Sequence, residues 1–558
     1  MIDMKRRRFL EAATLSSVLI SGCSFGSTSS PTETNTDSST PTETDTESPN
    51  PTDSASSAEF AFGQPTYPDV VPPVDTFTIQ LPVTNTGDTE GSTTVLLTVD
   101  ERERSKTIAV DPGEEVTLSF TIDGGLVADT YDFVIEESRT GQTARGKVRV
   151  GGDVPELEYF IGTEGQKFVR NGEPFYFSGG NNDMLRRAPK WYVDMVFAEA
   201  AELGMTALRT WVYAGKCYIG ECKGNNSKVL PEPADDGSDA VESLPPLNEA
   251  VMRQLDYAIY KANETGVRLV LPLLSNTDSH TGITDFVRYS ASASGHDDFY
   301  TDTTCRELYK EYAEAVLTRV NVYTGREYRN DPGILMWELV NEPDLLDNDG
   351  ETSIMQNWIE EMAPFIKSID DNHLLSTGEI GYYEESRAQS LPNKSDQGMD
   401  FIKNHQPEAI DAATFHMYLN KNSLMVEDDG IPRWKTWVEN HARDAHEQLD
   451  KPLYAGEVAP SNDDGEFRVD RRDDDSKAQD EKRAEKYREI FGEFVDYDVN
   501  GAFNWTFMIP FDYATDPVDD PEKWNAGVSV YPEDPYTPEA LRDYATTLDS
   551  LSPDPESQ

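Results

Sequence analysis

The sequence predicts an α/β protein in which a large domain of alternating strands and helices follows a small all-β domain. Three observations predict this arrangement. Residues 59–151 contain short strands of alternating polarity separated by turn signals such as Asp111-Pro112-Gly113. From residue 155 to about 552, apolar strands alternate with amphipathic helices. A polar tract, residues 24–58, separates both regions from a short N-terminal segment of different character.

Residues 1–23 have the features of an export signal rather than of a folded element. Lys5-Arg6-Arg7-Arg8-Phe9-Leu10 resembles the twin-arginine export signature, and the apolar run Ala12 to Ile20 is too short to span a bilayer. Ile20-Ser21-Gly22-Cys23 resembles a lipobox, which would make Cys23 the lipidated first residue of the mature protein. The alternative is ordinary cleavage near Gly22. We therefore expect an extracellular protein, anchored to the outer face of the cell membrane only through lipid at Cys23.

The next two segments are predicted to be a linker and a β-sandwich. Residues 24–58 are Ser, Thr, Pro, Glu and Asp with few apolar residues, so they cannot bury enough surface to fold. Residues 59–151 have the strand and turn spacing of an immunoglobulin-like sandwich. The run from Val83 to Asp88 (VTNTGD), followed by DPGEEVTL from Asp111, resembles CARDB-type modules. Such a domain would be either a spacer or a weak glycan-binding module.

Residues 155–552 are predicted to form a (β/α)8 TIM barrel, because eight βα repeats over about 400 residues fit that fold. The candidate strands are 175–182, 207–213, 268–275, 334–342, 373–380, 411–418, 452–458 and 501–508. The candidate helices are Trp191–Leu203, Glu249–Glu264, Arg306–Val322, Trp358–Ile369, Trp434–Leu449, Glu481–Val495 and Pro538–Leu551, and the helix between strands five and six has the weakest pattern. Residues 215–243 would be a long loop at the active-site end.

The composition limits the classes of partner. The chain has 103 Asp and Glu against 48 Lys and Arg, a formal net charge of −55, with the acidic residues spread along its length. This is typical of a protein adapted to concentrated salt, where charge repulsion is screened, and it argues against nucleic acid as a partner. Three cysteines follow Cys23 in the sequence, at positions Cys217, Cys222 and Cys305. This odd number suggests one disulfide and one free thiol. No zinc site is expected, and we expect a monomer.

Several strands end in residues that carry chemistry, and the C-terminal ends of barrel strands meet at one mouth. The strand from Ile334 ends in Asn341-Glu342-Pro343, and a later strand ends at Glu457. Two glutamates that flank one bond are the apparatus of glycoside hydrolysis. An arginine near such acids keeps a carboxylate ionised, and aromatic rings stack on sugar faces. The other strand-end candidates are Arg209, Trp211, His416, Tyr418 and Trp505.

These motifs together resemble glycoside hydrolase family 5, and most closely its endo-β-1,4-mannanases. The resemblance covers roughly residues 160–510. It rests on six stretches in the family's order: FYFSGGNN from Phe175, LRTW from Leu208, the stretch from DFYTD at Asp298 through LTRVNVYTG at Leu317, DPGILMWELVNEP from Asp331, STGE from Ser376 and TFHMY from Thr414.

The resemblance implies a role for each matching residue. Glu342 would be the general acid/base, with a raised pKa, and Glu457 the ionised nucleophile of a retaining double displacement. Asn341 would hold the sugar 2-hydroxyl, Arg209 and Tyr418 would orient Glu457, and His416 would hydrogen-bond near Glu342. Trp505 would stack under the sugar before the scissile bond. Trp211 and Asn182 are further substrate-binding candidates, and Glu379 is either a subsite residue or a solvated strand end. No cofactor is implied.

Three departures from the family pattern leave the sugar preference open. The mannanases commonly have Asn-Asn-Trp where this chain has Ser275-Asn276-Thr277, and Asp344 stands where Arg often follows N-E-P. The sequence after Glu457 is Val-Ala rather than Phe-Gly. The predicted substrate is β-1,4-mannan, glucomannan or galactomannan, cleaved internally. The alternatives are a β-1,4-glucanase or exo-β-glycosidase on the same barrel, or a catalytically inactive glycan-binding lipoprotein.

Overall fold

The computed structural model describes most of the chain from residue 57 to residue 553. The segments outside the description are residues 1–56, 101, 153–156, 214–227, 232, 234–240, 242, 277–280, 347–352, 385–390, 393–397, 420–423, 429, 461–466, 468, 471–472, 510–528 and 554–558. The predictions for the export signal, Cys23, the linker and most of the 215–243 loop therefore lie outside the described residues, as do Cys217 and Cys222.

Two mostly antiparallel sheets form the N-terminal part of the described chain. Their strands are β1 (Phe60–Phe62), β2 (Val70–Val71), β3 (Phe77–Asn85), β4 (Gly91–Val99), β5 (Arg102–Val110), β6 (Glu115–Ile122), β7 (Asp129–Glu137) and β8 (Thr143–Val150). One sheet has the order β1-β3-β6 and the other β2-β8-β7-β4-β5. Alternate residues of β3, β4 and β7 are buried in a shared apolar core, as expected for sheets with one face covered. The Ala128 N–H donates to the Val322 carbonyl of the larger domain, at 2.8 Å.

A short antiparallel sheet precedes the large domain, which is built on eight parallel strands. The short sheet contains β9 (Ile161–Glu164), β10 (Lys167–Arg170) and β11 (Glu173–Pro174). The parallel strands are β12 (Phe177–Asn181), β13 (Ala207–Arg209), β14 (Arg268–Pro272), β15 (Ile334–Glu338), β16 (Leu374–Ser376), β17 (Ala413–Tyr418), β20 (Leu453–Ala459) and β21 (Gly501–Asn504), with a small β18 (Glu427–Asp428) and β19 (Ile431–Pro432) pair between them.

The parallel strands form a barrel. Their order is β16-β15-β14-β13-β12-β21-β20-β17, so β16 and β17 are the two ends of the sheet. These ends approach each other, since the Asp411 N–H donates to the Leu375 carbonyl at 2.8 Å and the Ser376 hydroxyl donates to the Ala412 carbonyl at 2.9 Å. The predicted (β/α)8 barrel is therefore confirmed.

Helices surround the barrel and bury apolar faces against it. They are α1 (Lys190–Glu202), α2 (Glu249–Thr265), α3 (Ile283–Tyr289), α4 (Asp298–Thr301), α5 (Thr303–Leu317), α6 (Ser353–Ile369), α7 (Phe401–His405), α8 (Arg433–Arg443), α9 (Ser476–Asp496) and α10 (Thr537–Leu551), with a 3-10 turn at Tyr328–Asn330 and a π-helical extension of α8 at Asp444–Leu449. None of the helices within the described part of the chain is long and apolar enough to cross a bilayer.

The barrel interior is layered. Phe177, Met336, Tyr454 and Phe503 belong to one small apolar cluster, which also contains Phe168 of the β9–β10 hairpin. This cluster fills the lower part of the barrel. Because side chains alternate along a strand, Asn181, Arg209 and Glu338 project into the same interior as Ala207 and Met336, but nearer the carboxyl ends of their strands. The apolar cluster therefore forms the floor beneath a polar layer.

Candidate active site

A buried guanidinium organises the polar layer. Arg209 is the last residue of β13 and is fully buried. Its Nε and Nη2 donate to Glu338 at 2.7–3.2 Å, and its Nη1 donates to Glu457 at 2.9 Å. Burial alone would lower the pKa of Arg209, but Glu338 and Glu457 raise that pKa above the ordinary arginine value. Arg209 is therefore a fixed cation held between two carboxylates.

Glu338 lies on the side of Arg209 away from the mouth. It ends β15, is fully buried, and accepts a second hydrogen bond from the Tyr454 hydroxyl at 2.7 Å. All of its described partners are protein groups of the barrel interior. Glu338 therefore acts as a structural counter-charge that keeps Arg209 in place, which separates it from Glu342 four residues later.

Glu457 lies in β20 and is almost fully buried. Its Oε1 accepts from Arg209 and its Oε2 accepts from the Tyr418 hydroxyl at the end of β17. Burial raises the pKa of Glu457, while His416, Arg209 and the Tyr418 hydrogen bond oppose that rise. The two donors hold the carboxylate in one orientation and favour its ionised form.

Glu342 follows β15 and is held through its backbone. It has a φ of 52°, and its N–H donates to the Gly378 carbonyl at 2.8 Å. Gly378 itself has a φ of 80°, and a Cβ there would lie 2.3 Å from the Val340 carbonyl oxygen. The end of β16 therefore has to carry glycine to pack against the segment that presents Glu342.

His416 connects the two glutamates. Its Nδ1 lies 2.8 Å from Glu342 Oε1 and 3.7 Å from Glu457 Oε2. Gly456 makes room for the ring, since a Cβ there would lie 2.7 Å from His416 Nε2. One oxygen of each glutamate and a His416 nitrogen all lie within 4.8 Å of one another.

The two glutamates differ in access to solvent. The Glu342 side chain is 29% exposed, whereas that of Glu457 is 3% exposed. A group that exchanges protons with a leaving oxygen or with water needs access, and a group that attacks carbon needs fixed orientation. The surroundings therefore distinguish an acid/base position from a nucleophile position.

Asn341 and two indoles complete the mouth. Asn341 Oδ1 accepts from Arg209 Nη2 at 2.8 Å and from the Trp211 indole N–H at 3.1 Å. These contacts orient the amide so that its NH2 group points away from the cation. Trp211 is buried, while Trp505 is half-buried and packs edge-on against Trp211 and Tyr418, with ring centroids 5.8 and 6.2 Å apart. Trp505 is thus the indole that a sugar ring can reach.

Two of the predicted site residues lie elsewhere. Asn182 is fully buried; its amide donates to the Phe507 carbonyl and its oxygen accepts from the Met184 N–H. Glu379 is fully buried too, so it is not a solvated strand end; its carboxylate is directed to α7, where it accepts from Asn404 at 2.8 Å. Both side chains brace loops behind the site.

The residue that sequence reasoning missed is Asn181. Its oxygen accepts from Arg209 Nη1 at 3.1 Å, and its amide donates to the Gly456 carbonyl at 3.0 Å, next to Glu457. Strand alternation was the available signal, because Phe177, Gly179 and Asn181 share one face of β12 while Asn182 follows the strand.

Comparison with known proteins identifies the family. The model for proteins described as "GH family 5 beta-mannosidase-like" matches residues 248–549, more than half of the chain. The chain belongs to glycoside hydrolase family 5. It is therefore a glycoside hydrolase.

Relatives within glycoside hydrolase family 5 agree with this assignment. Mannan endo-1,4-beta-mannosidase 8 of Oryza sativa subsp. japonica is 34% identical over 334 residues, which cover 56% of this chain and 82% of that protein. Among solved structures, the endo-1,4-beta-mannanase from Rhizomucor miehei has a TM-score of 0.56 and 26% identity, covering 70% of this chain and 99% of that one. The endo-beta-1,4-mannanase from Thermotoga petrophila has a TM-score of 0.55 and 26% identity, covering 68% and 78%.

One position at which this chain departs from the pattern of family 5 mannanases, Asp344, contacts Asn276, which matches the middle residue of the Asn-Asn-Trp pattern. Asn276 Nδ2 donates to Asp344 Oδ1 at 2.6 Å, and Asn276 Oδ1 lies 2.8 Å from His296 Nε2. Asp344 is two residues beyond Glu342, so this pair borders the acid/base side of the mouth. Asp344 is thus held in a polar network with Asn276 and His296.

Proposed function

We propose that this glycoside hydrolase is a retaining endo-β-1,4-mannanase. The observation that carries the mechanism is the short separation between a partly exposed Glu342 and a buried, doubly hydrogen-bonded Glu457, with oxygens within 4.8 Å. Retaining enzymes hold their two carboxyl groups about 5–5.5 Å apart, whereas inverting enzymes need roughly 6.5–9.5 Å to admit a water molecule. The substrate class is supported by relatives whose names specify mannan endo-1,4-beta-mannosidase.

The first chemical step would form a covalent intermediate. A Glu457 oxygen attacks the anomeric carbon as the glycosidic C–O bond breaks, and Glu342 donates its proton to the departing sugar oxygen. The Asn341 NH2 group would donate to the 2-hydroxyl of the same sugar. Arg209 and Tyr418 hold Glu457 so that its attacking oxygen needs little reorientation.

The second step would release the sugar. Glu457 has lost its charge in the ester, so Glu342 now favours the ionised form and takes a proton from water as that water attacks the anomeric carbon. The C–O bond to Glu457 breaks and the carboxylate is regenerated. His416 can donate through Nδ1 to Glu342 when Glu342 is a carboxylate. This hydrogen bond stabilises the ionised form of Glu342, which acts as the base.

Product analysis on a panel of polysaccharides tests this function. Linear mannan, galactomannan, glucomannan and carboxymethylcellulose would be incubated with the wild type and with Glu342→Gln and Glu457→Gln. Glu379→Gln is the matched control, since that glutamate is buried but lies behind the site. We expect mannooligosaccharides from the wild type and the control, and losses of about 10²–10⁴-fold or more in the two site variants.

Other outcomes would redirect the proposal. Cleavage of carboxymethylcellulose alone would keep the mechanism and change the substrate to a β-1,4-glucan. The departure at Asp344 makes this outcome worth testing. Release of single sugars only would indicate exo action. Binding to the polymers without cleavage by folded protein would indicate a glycan-binding lipoprotein.

We also propose that the protein is exported by the twin-arginine route and anchored through Cys23. The basis is the sequence of residues 1–23 alone. Cys23→Ser should move the protein from the membrane fraction to the medium. Replacement of Arg6-Arg7 and Arg8 by lysines should retain it inside the cell.

A further inference from the structure

Arg186 is a buried cation whose guanidinium has no hydrogen-bond acceptor among the described residues. It follows β12 at the mouth end of the barrel and is 1% exposed. Its Nε, Nη1 and Nη2 are all buried and without a hydrogen-bond partner. A guanidinium carries five N–H donors, and a buried charge without a counter-charge is costly.

The other arginines that are at most 2% exposed show how this fold treats such groups. Arg187 pairs with Asp183, Arg209 pairs with Glu338 and Glu457, and Arg483 pairs with Asp480 and Asp534. Each has at least one carboxylate in direct contact. Arg186 differs from these arginines, because it forms no such ion pair although the chain has a large excess of acidic residues.

Aromatic faces account for part of the stabilisation of Arg186. Its Cζ lies 5.4 Å from the centroid of Tyr213 and 5.9 Å from that of Trp211. Ring faces attract a cation, but they leave the in-plane N–H donors of the guanidinium without acceptors. Burial lowers the pKa of Arg186 to about 9, which leaves the side chain charged at neutral pH.

We propose that Arg186 binds a small inorganic monoanion, a halide such as chloride, between the Trp211 and Tyr213 rings and the segment after β12. A monoatomic anion accepts several N–H groups at once and needs little space, which suits a guanidinium that is 1% exposed. A monovalent halide is also cheaper to dehydrate than sulfate or phosphate. A medium of concentrated salt would keep the site filled by mass action.

The proposed halide site is connected to the catalytic residues through Trp211. Trp211 packs against Arg186 and donates its indole N–H to Asn341. A bound halide would therefore fix the indole that orients the Asn341 amide. Halide binding at Arg186 does not depend on the proposed mannanase activity, because it is measured by thermal stability and by electron density.

Halide binding is tested on the full-length protein by thermal unfolding in sodium chloride and in sodium methanesulfonate at equal concentration and ionic strength. Methanesulfonate is larger than chloride and controls for charge screening. We expect the wild-type Tm to be higher in chloride by about 2 °C or more. Arg186→Met should abolish the difference. Arg145→Met, which removes an exposed charge from the sandwich, should retain it.

Crystals soaked in sodium bromide supply a readout that does not depend on any variant folding. An anomalous difference peak beside the Arg186 guanidinium would support the proposal. Equal Tm in the two salts, a difference retained in Arg186→Met, or no bromide peak at Arg186 would overturn it. If Arg186→Met instead weakened only the binding of mannans that carry glucuronic acid, a sugar carboxylate rather than a halide would be the ligand.

Discussion

Glu457 and Glu342 are both glutamates, but their surroundings differ. Glu457 receives one hydrogen bond from a cation and one from a phenol, whereas Glu342 faces His416 and the open mouth. Burial alone would favour the protonated form of Glu457, which could not attack carbon. The donors around it therefore have to offset the cost of burying its charge.

Tyr418→Phe tests this balance at the residue scale. The hydroxyl lowers the pKa of Glu457, so its removal should raise that pKa further and move the acid limb of the kcat/KM profile to higher pH. We expect kcat/KM at neutral pH to fall about tenfold to a hundredfold, because a hydrogen bond to a charged group contributes about 1.5–3 kcal/mol. The measurement is the pH dependence of kcat/KM.

Tyr454→Phe is the matched control for that experiment. Tyr454 is also a buried barrel tyrosine, but its hydroxyl donates to Glu338. Its loss should leave the acid limb in place. An acid limb that moved equally in both variants, or in neither, would contradict the role given to Tyr418.

At the scale of elements, the site depends on how β15 and β16 end. The N–H groups of Leu339, Val340 and Glu342 donate to the carbonyls of Ser376, Thr377 and Gly378 in turn. This ladder continues past the regular strands and carries the chain through the positive φ of Glu342. The position of the acid/base group is thus set by the backbone of the neighbouring strand.

Gly378→Ala should disturb this ladder. A Cβ at position 378 would lie 2.3 Å from the Val340 oxygen and 3.0 Å from Glu338 Oε2, so the segment before Glu342 has to shift. We expect kcat to fall by about a hundredfold, the effect of a displacement near 1 Å in a catalytic group. Steady-state kinetics and Tm would be measured together.

Gly172→Ala is the control that separates the steric clash of a Cβ from the cost of a positive φ in a non-glycine residue. Gly172 has a φ of 82°, close to that of Gly378, and a Cβ there meets no heavy atom within 4 Å. Both variants should lose about 1 kcal/mol of stability from the left-handed backbone, but only Gly378→Ala should lose turnover. Equal kcat in the two variants would refute the positioning argument.

The elements were largely predictable from sequence because their patterns are strong. All eight predicted barrel strands exist, and the predicted helix Glu249–Glu264 differs by one residue from α2. The weak pattern between strands five and six corresponds to α7, which has only five residues. In the N-terminal sheets, β5 is hard to recognise from sequence, because six of its nine residues are polar or charged and five are exposed.

Contacts between strands were less predictable than the strands themselves. That Glu338 and Glu457 share one guanidinium depends on barrel register, which sequence spacing does not contain. The sequence analysis selected Asn182 as a site residue, whereas Asn181 is the one that contacts Arg209. This error has the same origin, since a one-residue difference at a strand end decides which side chain faces inward.

At the scale of the whole molecule, charge is the dominant property. A net charge of −55 on 558 residues produces strong self-repulsion at low ionic strength. The Debye length falls from about 10 Å at 0.1 M salt to about 3 Å at 1 M, so concentrated salt removes most of that repulsion. We propose on this basis that the fold is adapted to salt.

Thermal unfolding in sodium methanesulfonate from 0.1 to 2 M tests the salt adaptation without supplying a halide. We expect Tm to rise steeply over this range, because screening stabilises the compact, highly charged state. Sucrose at matching osmolality is the control and should have a smaller effect. A Tm that is flat or falls with salt would contradict the adaptation.

Azide rescue distinguishes the acid/base role of Glu342 from the nucleophilic role of Glu457. Glu342→Ala and Glu457→Ala would each be incubated with an aryl β-mannobioside and sodium azide, and the anomeric configuration of the glycosyl azide would be read by NMR. We expect a β-azide from Glu342→Ala, since azide then replaces water in the second step. We expect an α-azide from Glu457→Ala, since azide then attacks in place of the missing nucleophile. The reverse assignment, or rescue of neither variant, would contradict these roles.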